Sequence, residues 1–348
     1  MPNPYSNLPA HQFWRRSISN VAAHDVDPVV DPRFKIERTA KVATAGSCFA
    51  QHISRRLRAM DFNYFVPENG EDLPAEAREG RQFGVFSARY GNLYTTAQLL
   101  QLFQEAFENR RPIDTAWPRP DGRMVDPLRP QVEPAGYGTA GDVAAERARH
   151  LEAVRSVFRD ADVFVFTMGL TEAWRSREDG SVFPLAPGVA AGAFDPARHE
   201  FVNFDVADVA RDLFAFLDAL KAINPGVKVL LTVSPIPLIA TFEPRSVLTS
   251  TAYSKSVLRV VADMAIRRYD WVDYFPSYEI ITGSHAAGRY YESDAREVSH
   301  LGVAHAMRCF LDNYVEGRVR AASPPATAAP VSNAGLICDE ETIDAVRA

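Results

Sequence analysis

Val42-Ala43-Thr44-Ala45 runs directly into Gly46-Ser47-Cys48-Phe49-Ala50, and the reading of this stretch decides the fold. The short apolar run reads as a strand, and the apolar residues Phe49, Ile53, Leu57 and Met60 that follow have helical spacing. The glycine between them permits a tight turn. The unit is therefore strand, turn and helix, with a serine at the turn. A hydroxyl there stands at the carboxyl end of a strand and at a helix N-terminus, where the dipole and free N–H groups favour negative charge. A serine nucleophile that must stabilise an oxyanion needs both features. The alternative is an N-cap, for which serine is a preferred residue. Cys48 is one residue further on, so it points about 100° away from Ser47 and is read as packing against the sheet.

The same alternation continues along the chain. A helix is expected from Thr96 to Glu108, capped by Thr95 or Thr96, and another from Asp142, its cap, through Phe158. The second helix feeds Val163-Phe164-Val165-Phe166-Thr167-Met168, an apolar run typical of a strand buried on both faces. A helix after Asp205 stops at Asn224-Pro225-Gly226, and Val227 to Val233 is the next strand. A helix from about Ser254 to Tyr269, a short strand around Trp271 to Phe275 and a helix from Gly302 to Tyr314 complete the pattern. Strands separated by helices imply an α/β fold with a mainly parallel sheet covered on both faces. Residues 1–34 read as a polar lead-in, 35–317 as one domain and 318–348 as a disordered tail rich in Ala, Pro and Ser. Two stretches, 112–137 and 175–200, read as long irregular excursions, of a size that often shapes a binding site.

Composition narrows the function. The 348 residues are 47% hydrophobic and 24% charged, enough for a substantial core, and the net charge of -6 argues against a nucleic-acid partner. No stretch approaches the roughly 18 apolar residues that span a bilayer. Three scattered cysteines, Cys48, Cys309 and Cys338, suit neither a disulfide framework nor a zinc site. With no secretory pattern in Met1 to His24, the expectation is a cytoplasmic protein.

Other reactive residues fall where further strands end. Gly169-Leu170-Thr171-Glu172-Ala173-Trp174 brings Thr171 and Glu172 to the serine's side of the sheet. The glycine turn Arg89-Tyr90-Gly91-Asn92 offers a backbone N–H to join that of Ser47 around an oxyanion. Asp294-Ala295-Arg296-Glu297-Val298-Ser299-His300 places a histidine before the last helix with an acid to orient it. Nucleophile, base, acid and oxyanion donors would then all be present. Each has a plainer reading: a surface or capping histidine, an ion pair of Glu172 with Arg175, a glycine that only relieves a turn. Tyr90 and Trp174 are candidate groove residues or core.

Together the blocks Gly46 to Ala50, Tyr90-Gly91-Asn92, Gly169 to Trp174 and Thr232-Val233-Ser234-Pro235-Ile236-Pro237 resemble the GSCFA family, a branch of the SGNH (GDSL-like) esterases, over about Lys35 to Tyr314. The resemblance implies a flavodoxin-like three-layer α/β/α domain. It also implies hydrolysis or transfer of ester-linked acyl groups, often on polysaccharides, with no metal or other cofactor. Under it Ser47 is the nucleophile, and Gly91 stands near the glycine that supplies the second oxyanion donor. Thr171 takes the place of the SGNH asparagine, and Tyr90, Asn92, Glu172 and Trp174 are expected at the substrate. The family's last block is Asp, two residues, His; the matching spacing here is Glu297 and His300, with Asp294 as an alternative acid and Leu301 where proline is common. His305 falls inside the last helix, so His300 is the expected base. The altered blocks also motivate a non-catalytic glycan-binding or scaffolding protein on the same fold. A nucleotide-binding protein ranks last, because no glycine-rich phosphate loop is present.

Overall fold

The computed structural model describes residues 3–316 and 339–345. Its elements, in chain order, are β1 (Val42–Gly46), α1 (Ala50–Ala59), α2 (Ala75–Gly80), α3 (Thr96–Phe107), β2 (Trp117–Pro118), β3 (Met124–Val125), α4 (Ala140–Asp160), β4 (Val163–Met168), β5 (Glu172–Ser176), β6 (Val182–Phe183), β7 (His199–Asn203), α5 (Val206–Ile223), β8 (Lys228–Val233), α6 (Val247–Arg268), β9 (Val272–Tyr274), α7 (Ser277–Thr282), α8 (His300–Tyr314) and α9 (Glu341–Ala345).

β1, β4, β8 and β9 pair in parallel, in the order β1-β4-β8-β9. Every residue of β1 and β4 is buried, which is why both read as unbroken apolar or small-residue runs. Successive side chains enter opposite cores. Ala43, Ala45, Phe164, Phe166, Val229 and Leu231 pack with residues of α3, α4, α5 and α6. Val42, Val163, Val165 and Leu230 pack with Ile53 and Leu57 of α1 and with Val303 and Phe310 of α8. Helices therefore cover both faces of the sheet, and the fold is a three-layer α/β/α sandwich.

The position of β1 matters most. Val42 N–H donates to the Asn63 carbonyl at 3.0 Å and Phe65 N–H to the Val42 carbonyl at 2.9 Å. Residues 63–65 thus run beside β1 as a parallel bridge. With that bridge counted as a rudimentary strand, the order is the flavodoxin 2-1-3-4-5, whose topological switch lies between its first and third strands. Here those strands are β1 and β4. Ligands in such sheets bind outside the carboxyl ends at the switch, the point from which Ser47 and Gly169 emerge.

Several local expectations need correction. Thr139, not Asp142, caps α4; Asp142 is the reciprocal partner three residues on. α6 begins at Val247, well before Ser254, with Ser246 as its cap, because the polar residues of its first turns hide the helical period. The stretch 175–200 is not irregular throughout: it contributes to an antiparallel sheet in the order β6-β5-β7. The excursion 112–137 contains the β2–β3 pair. The lead-in is less polar than expected, since Val26 and Phe34 are buried and the Val26 carbonyl bonds His305 Nε2 of α8 at 2.7 Å. Of the stretch 318–348, residues 318–338 and 346–348 lie outside the described residues, while 339–345 form a turn and the short α9. Among the described residues no helix is long and apolar enough to cross a membrane.

Candidate active site

The turn after β1 depends on Gly46. Its φ is +128°, and a Cβ there would stand 2.3 Å from the Thr167 carbonyl oxygen of β4. Only glycine lets the chain leave the sheet this close to its neighbour. Ser47 N–H donates to that same Thr167 carbonyl at 3.0 Å, and the Ser47 carbonyl accepts from Ala50 N–H at 2.9 Å to open the first helical turn. Ser47 is 2% exposed. Its Oγ has no hydrogen-bond partner among the described residues.

Two elements wall this serine. Leu93 N–H donates to the Gly46 carbonyl at 3.0 Å and Gly169 N–H to the Tyr94 carbonyl at 2.9 Å, so the Tyr90–Tyr94 segment crosses both strand ends. A Cβ on Gly169 would meet Tyr94 Cδ1 at 3.0 Å and Ser47 Cβ at 3.1 Å, so the tyrosine ring and the serine flank this glycine with no room for a side chain. The turn beyond is gripped from α6: Lys255 Nζ donates to the Gly169 carbonyl at 2.7 Å and Thr171 N–H donates to Ser254 Oγ at 3.0 Å.

The expected oxyanion donors separate in this geometry. Ser47 N–H, engaged by Thr167, is not available. The Thr171 hydroxyl donates its single proton to Asn203 Oδ1 at 2.8 Å, and the Asn203 amide is itself held by Glu243 at 2.9 Å, so Thr171 has no proton left for an oxyanion. Gly91 differs. Its φ is +68°, a Cβ added there would meet nothing nearer than Val132 Cγ1 at 3.5 Å and Arg129 Cβ at 3.7 Å, and its N–H donates to no group among the described residues.

Near Gly91 lies a buried network of charges. Arg129 donates to the Arg89 carbonyl at 3.1 Å and to Asp126 at 2.7 Å. Arg89 reaches Glu133 at 3.1 Å and the Val132 carbonyl at 2.8 Å, while its N–H meets Glu68 at 2.7 Å. His150 Nδ1 is 2.8 Å from the same Glu68 carboxylate. Buried charges persist only when paired, and here the pairing fixes the backbone at Arg89, ahead of Gly91. Burial pushes Glu68 up, but His150, Arg129 and the Arg89 N–H outweigh it and hold the carboxyl at about 2. Burial, with Arg129 beside it, lowers His150 to about 4.

The expected substrate contacts are placed unevenly. Tyr90 is core: it is buried, and its hydroxyl donates to the Thr44 carbonyl. Asn92 is also buried, on the segment that crosses Ser47. Glu172 accepts from the Thr241 hydroxyl at 2.6 Å and Phe242 N–H at 3.3 Å; burial nevertheless raises its carboxyl above the usual range. Arg175 pairs with Glu200, not with Glu172. Trp174 is half-buried, 4.9 Å from the exposed Phe242 ring.

The expected base and acid do not meet the serine. His300 is the first residue of α8, exposed, and its ring makes no hydrogen bond among the described residues. Glu297 is exposed, and its N–H, like that of Arg296, donates to Asp294 Oδ1 at 3.0 Å, so Asp294 shapes the turn. His305 lies within the last helix, as expected, and both its nitrogens are engaged, by Tyr290 Oη and the Val26 carbonyl, each at 2.7 Å. His52 of α1 is buried against Phe49, with ring centroids 5.3 Å apart and neither nitrogen hydrogen-bonded among the described residues. Burial and then Arg55 lower it to about 4.

Sequence reasoning missed Tyr94, Arg129, Ser254 and Lys255. The last two looked like the polar start of a helix, and the first two like loop residues. Nor do any three His, Cys, Asp or Glu side chains gather as a metal site among the described residues.

No curated protein matches the chain. A solved structure, a family 3 carbohydrate esterase of Clostridium thermocellum, is similar at 12% identity and a TM-score of 0.27, over 79% of this chain and 94% of that one. The GSCFA family model matches residues 41–310, well over half of the sequence and all the elements from β1 through most of α8. The chain belongs to the GSCFA family.

Proposed function

We propose that the chain is an SGNH-type serine esterase or O-acyltransferase acting on an acylated carbohydrate or a similar oxygen ester. One observation carries the reading. Ser47 lies at the topological switch between β1 and β4, with an Oγ that no described residue engages, on the segment side that carries the undonated Gly91 N–H. Ser47 Oγ attacks the ester carbonyl, and the tetrahedral oxyanion accepts from Gly91 N–H beside the positive end of α1. His300 takes the serine proton once the turn leading into α8 closes toward it, with Glu297 or Asp294 orienting the imidazole. Catalytic hydrogen bonds commonly tighten only around substrate. The ester C–O bond then breaks, the leaving alcohol takes the proton from His300, and the acyl group stays on Ser47 until water hydrolyses it or a sugar hydroxyl accepts it. Asn92, Glu172 and Trp174 are the proposed substrate contacts, with Trp174 and Phe242 offering apolar surface to a sugar face. The buried thiols of Cys48 and Cys309 suit a reducing, cytoplasmic setting.

A second reading, a non-catalytic glycan-binding protein, is favoured by the lack of any base on Ser47 Oγ among the described residues and by the engagement of the Thr171 hydroxyl. Intact mass after fluorophosphonate treatment separates the two. The enzyme reading requires one adduct on Ser47, absent in Ser47→Ala and greatly slowed in a folded His300→Ala. A folded wild-type protein that takes no adduct leaves the binding reading.

A further inference from the structure

A segment from far along the chain docks onto Tyr94, whose ring flanks Gly169 beside Ser47. Asp339 N–H donates to Tyr94 Oη at 3.1 Å. Glu340 Oε2 is 3.2 Å from Arg296 Nη2. Gln131 Nε2 donates to Thr342 Oγ1 at 3.4 Å, and the Thr342 hydroxyl donates to the Asp339 carbonyl at 2.6 Å, rolling the segment into a turn. Two acidic residues are buried by this docking, Asp339 to 2% exposure and Glu340 to 7%.

The three anchors belong to three different segments of the chain. Tyr94 has its ring against Gly169, the glycine that Ser47 also touches. Gln131 adjoins Val132, the residue that a Cβ added at Gly91 would meet first. Arg296 lies in the turn leading into His300. A segment tied to all three joins the Tyr90–Tyr94 segment, the stretch around Gln131 and the turn before α8, and Ser47 is almost fully hidden.

We propose that residues 339–343 form a strap closed across the Ser47 crevice, and that an acyl substrate reaches the serine only when the strap releases. This rests on reading Ser47 as a nucleophile. Release breaks at least one bond to Tyr94, one ion pair and one long side-chain contact. An ordinary hydrogen bond contributes little net and a charged one somewhat more. The Glu340–Arg296 pair is the strongest link, and salt weakens whatever part of it faces solvent.

The test compares the full chain with Glu340→Gln and Thr342→Val, changes confined to the strap. Fluorophosphonate labelling of Ser47 and amide hydrogen exchange of residues 339–343 are followed together. The strap requires Glu340→Gln to raise exchange and to speed labelling about tenfold, the ratio for losing roughly 1.4 kcal/mol of closure. Thr342→Val should act in the same direction, less strongly. Faster exchange with labelling unchanged or slower overturns the gate and leaves the serine reading intact. Exchange and labelling both unchanged shows that these anchors do not hold the segment, which also overturns it. No label on Ser47 in any of the three proteins removes the nucleophile, and the gate with it.

Discussion

Gly46→Ala tests whether the serine is positioned by backbone contact between β1 and β4. The new Cβ would sit 2.3 Å from the Thr167 carbonyl oxygen, 2.7 Å from its nitrogen and 2.9 Å from its carbonyl carbon, all backbone atoms of a central strand. An ordinary contact needs more than an ångström of additional separation from that oxygen, so β1 must move away from β4 or the turn must rebuild. The φ of +128° is itself unfavourable for alanine, a strain of about 1–3 kcal/mol. Moving the strand end adds an overpacking cost of similar size and loses the Ser47 N–H bond to Thr167, about 1 kcal/mol. The expected loss is about 5 kcal/mol, a large part of the stability of a typical domain. Gly91→Ala is the control: its φ is +68° too, but its Cβ would meet nothing nearer than 3.5 Å, so the expected cost is about 1–2 kcal/mol. Equilibrium urea unfolding, followed by tryptophan fluorescence, reads both. A Gly46→Ala protein within 1 kcal/mol of wild type, or no worse than Gly91→Ala, would refute the close-approach argument.

Two further outcomes follow from the buried titratable groups. His52, His150 and His305 are each lowered from 6.5 to about 4, burial being the largest cause. The unfolded chain therefore takes up protons below pH 6.5 that the folded chain resists. Stability is fully present above that pH and falls as pH drops toward 4, by up to about 3 kcal/mol for each histidine. Glu68 extends the loss from 4.5 down to about 2. A urea midpoint that stays flat between pH 7 and pH 5 would contradict this. Arg89→Met should cost about 1–3 kcal/mol, because buried Glu133 and Glu68 each lose one cation while Arg81 and Arg129 remain beside them. Adding Glu133→Gln should recover part of the loss in the same unfolding assay, and no recovery would show that the arginine acts by packing alone.

The legible parts of the fold were those with a local cause. β4 was readable because a strand covered on both faces must be apolar throughout. α3 and α5 were readable because Thr95 and Asp205 cap them beside clear helical periods. β5, β6 and β7 escaped notice because their strands are short, with polar residues between them, and their pairing partners stand far apart in sequence. Trp174, for example, lies opposite Phe201 and Phe183. The start of α6 was hidden because its buried residues include Ser250, Ser254 and Lys255, polar groups that are inside only because the Gly169–Thr171 turn needs donors and acceptors.

The sequence by itself determined the strand–turn–helix at Ser47, the parallel α/β class and the family, because dihedral freedom at glycine, burial periodicity and capping act over a few neighbouring residues. It also brought Ser47, Gly91 and Thr171 into view together, since all three follow strand ends or precede helices. Only the tertiary structure decided what each could do. Thr167 takes up the Ser47 N–H, Asn203 takes up the Thr171 hydroxyl, and the Gly91 N–H is left without a partner among the described residues. Likewise only the fold could bring Asp339 and Glu340 onto Tyr94 and Arg296. A hydrogen-bonding group has one or two partners, and which atoms reach it is settled by how distant segments pack, for which no local pattern carries a signal.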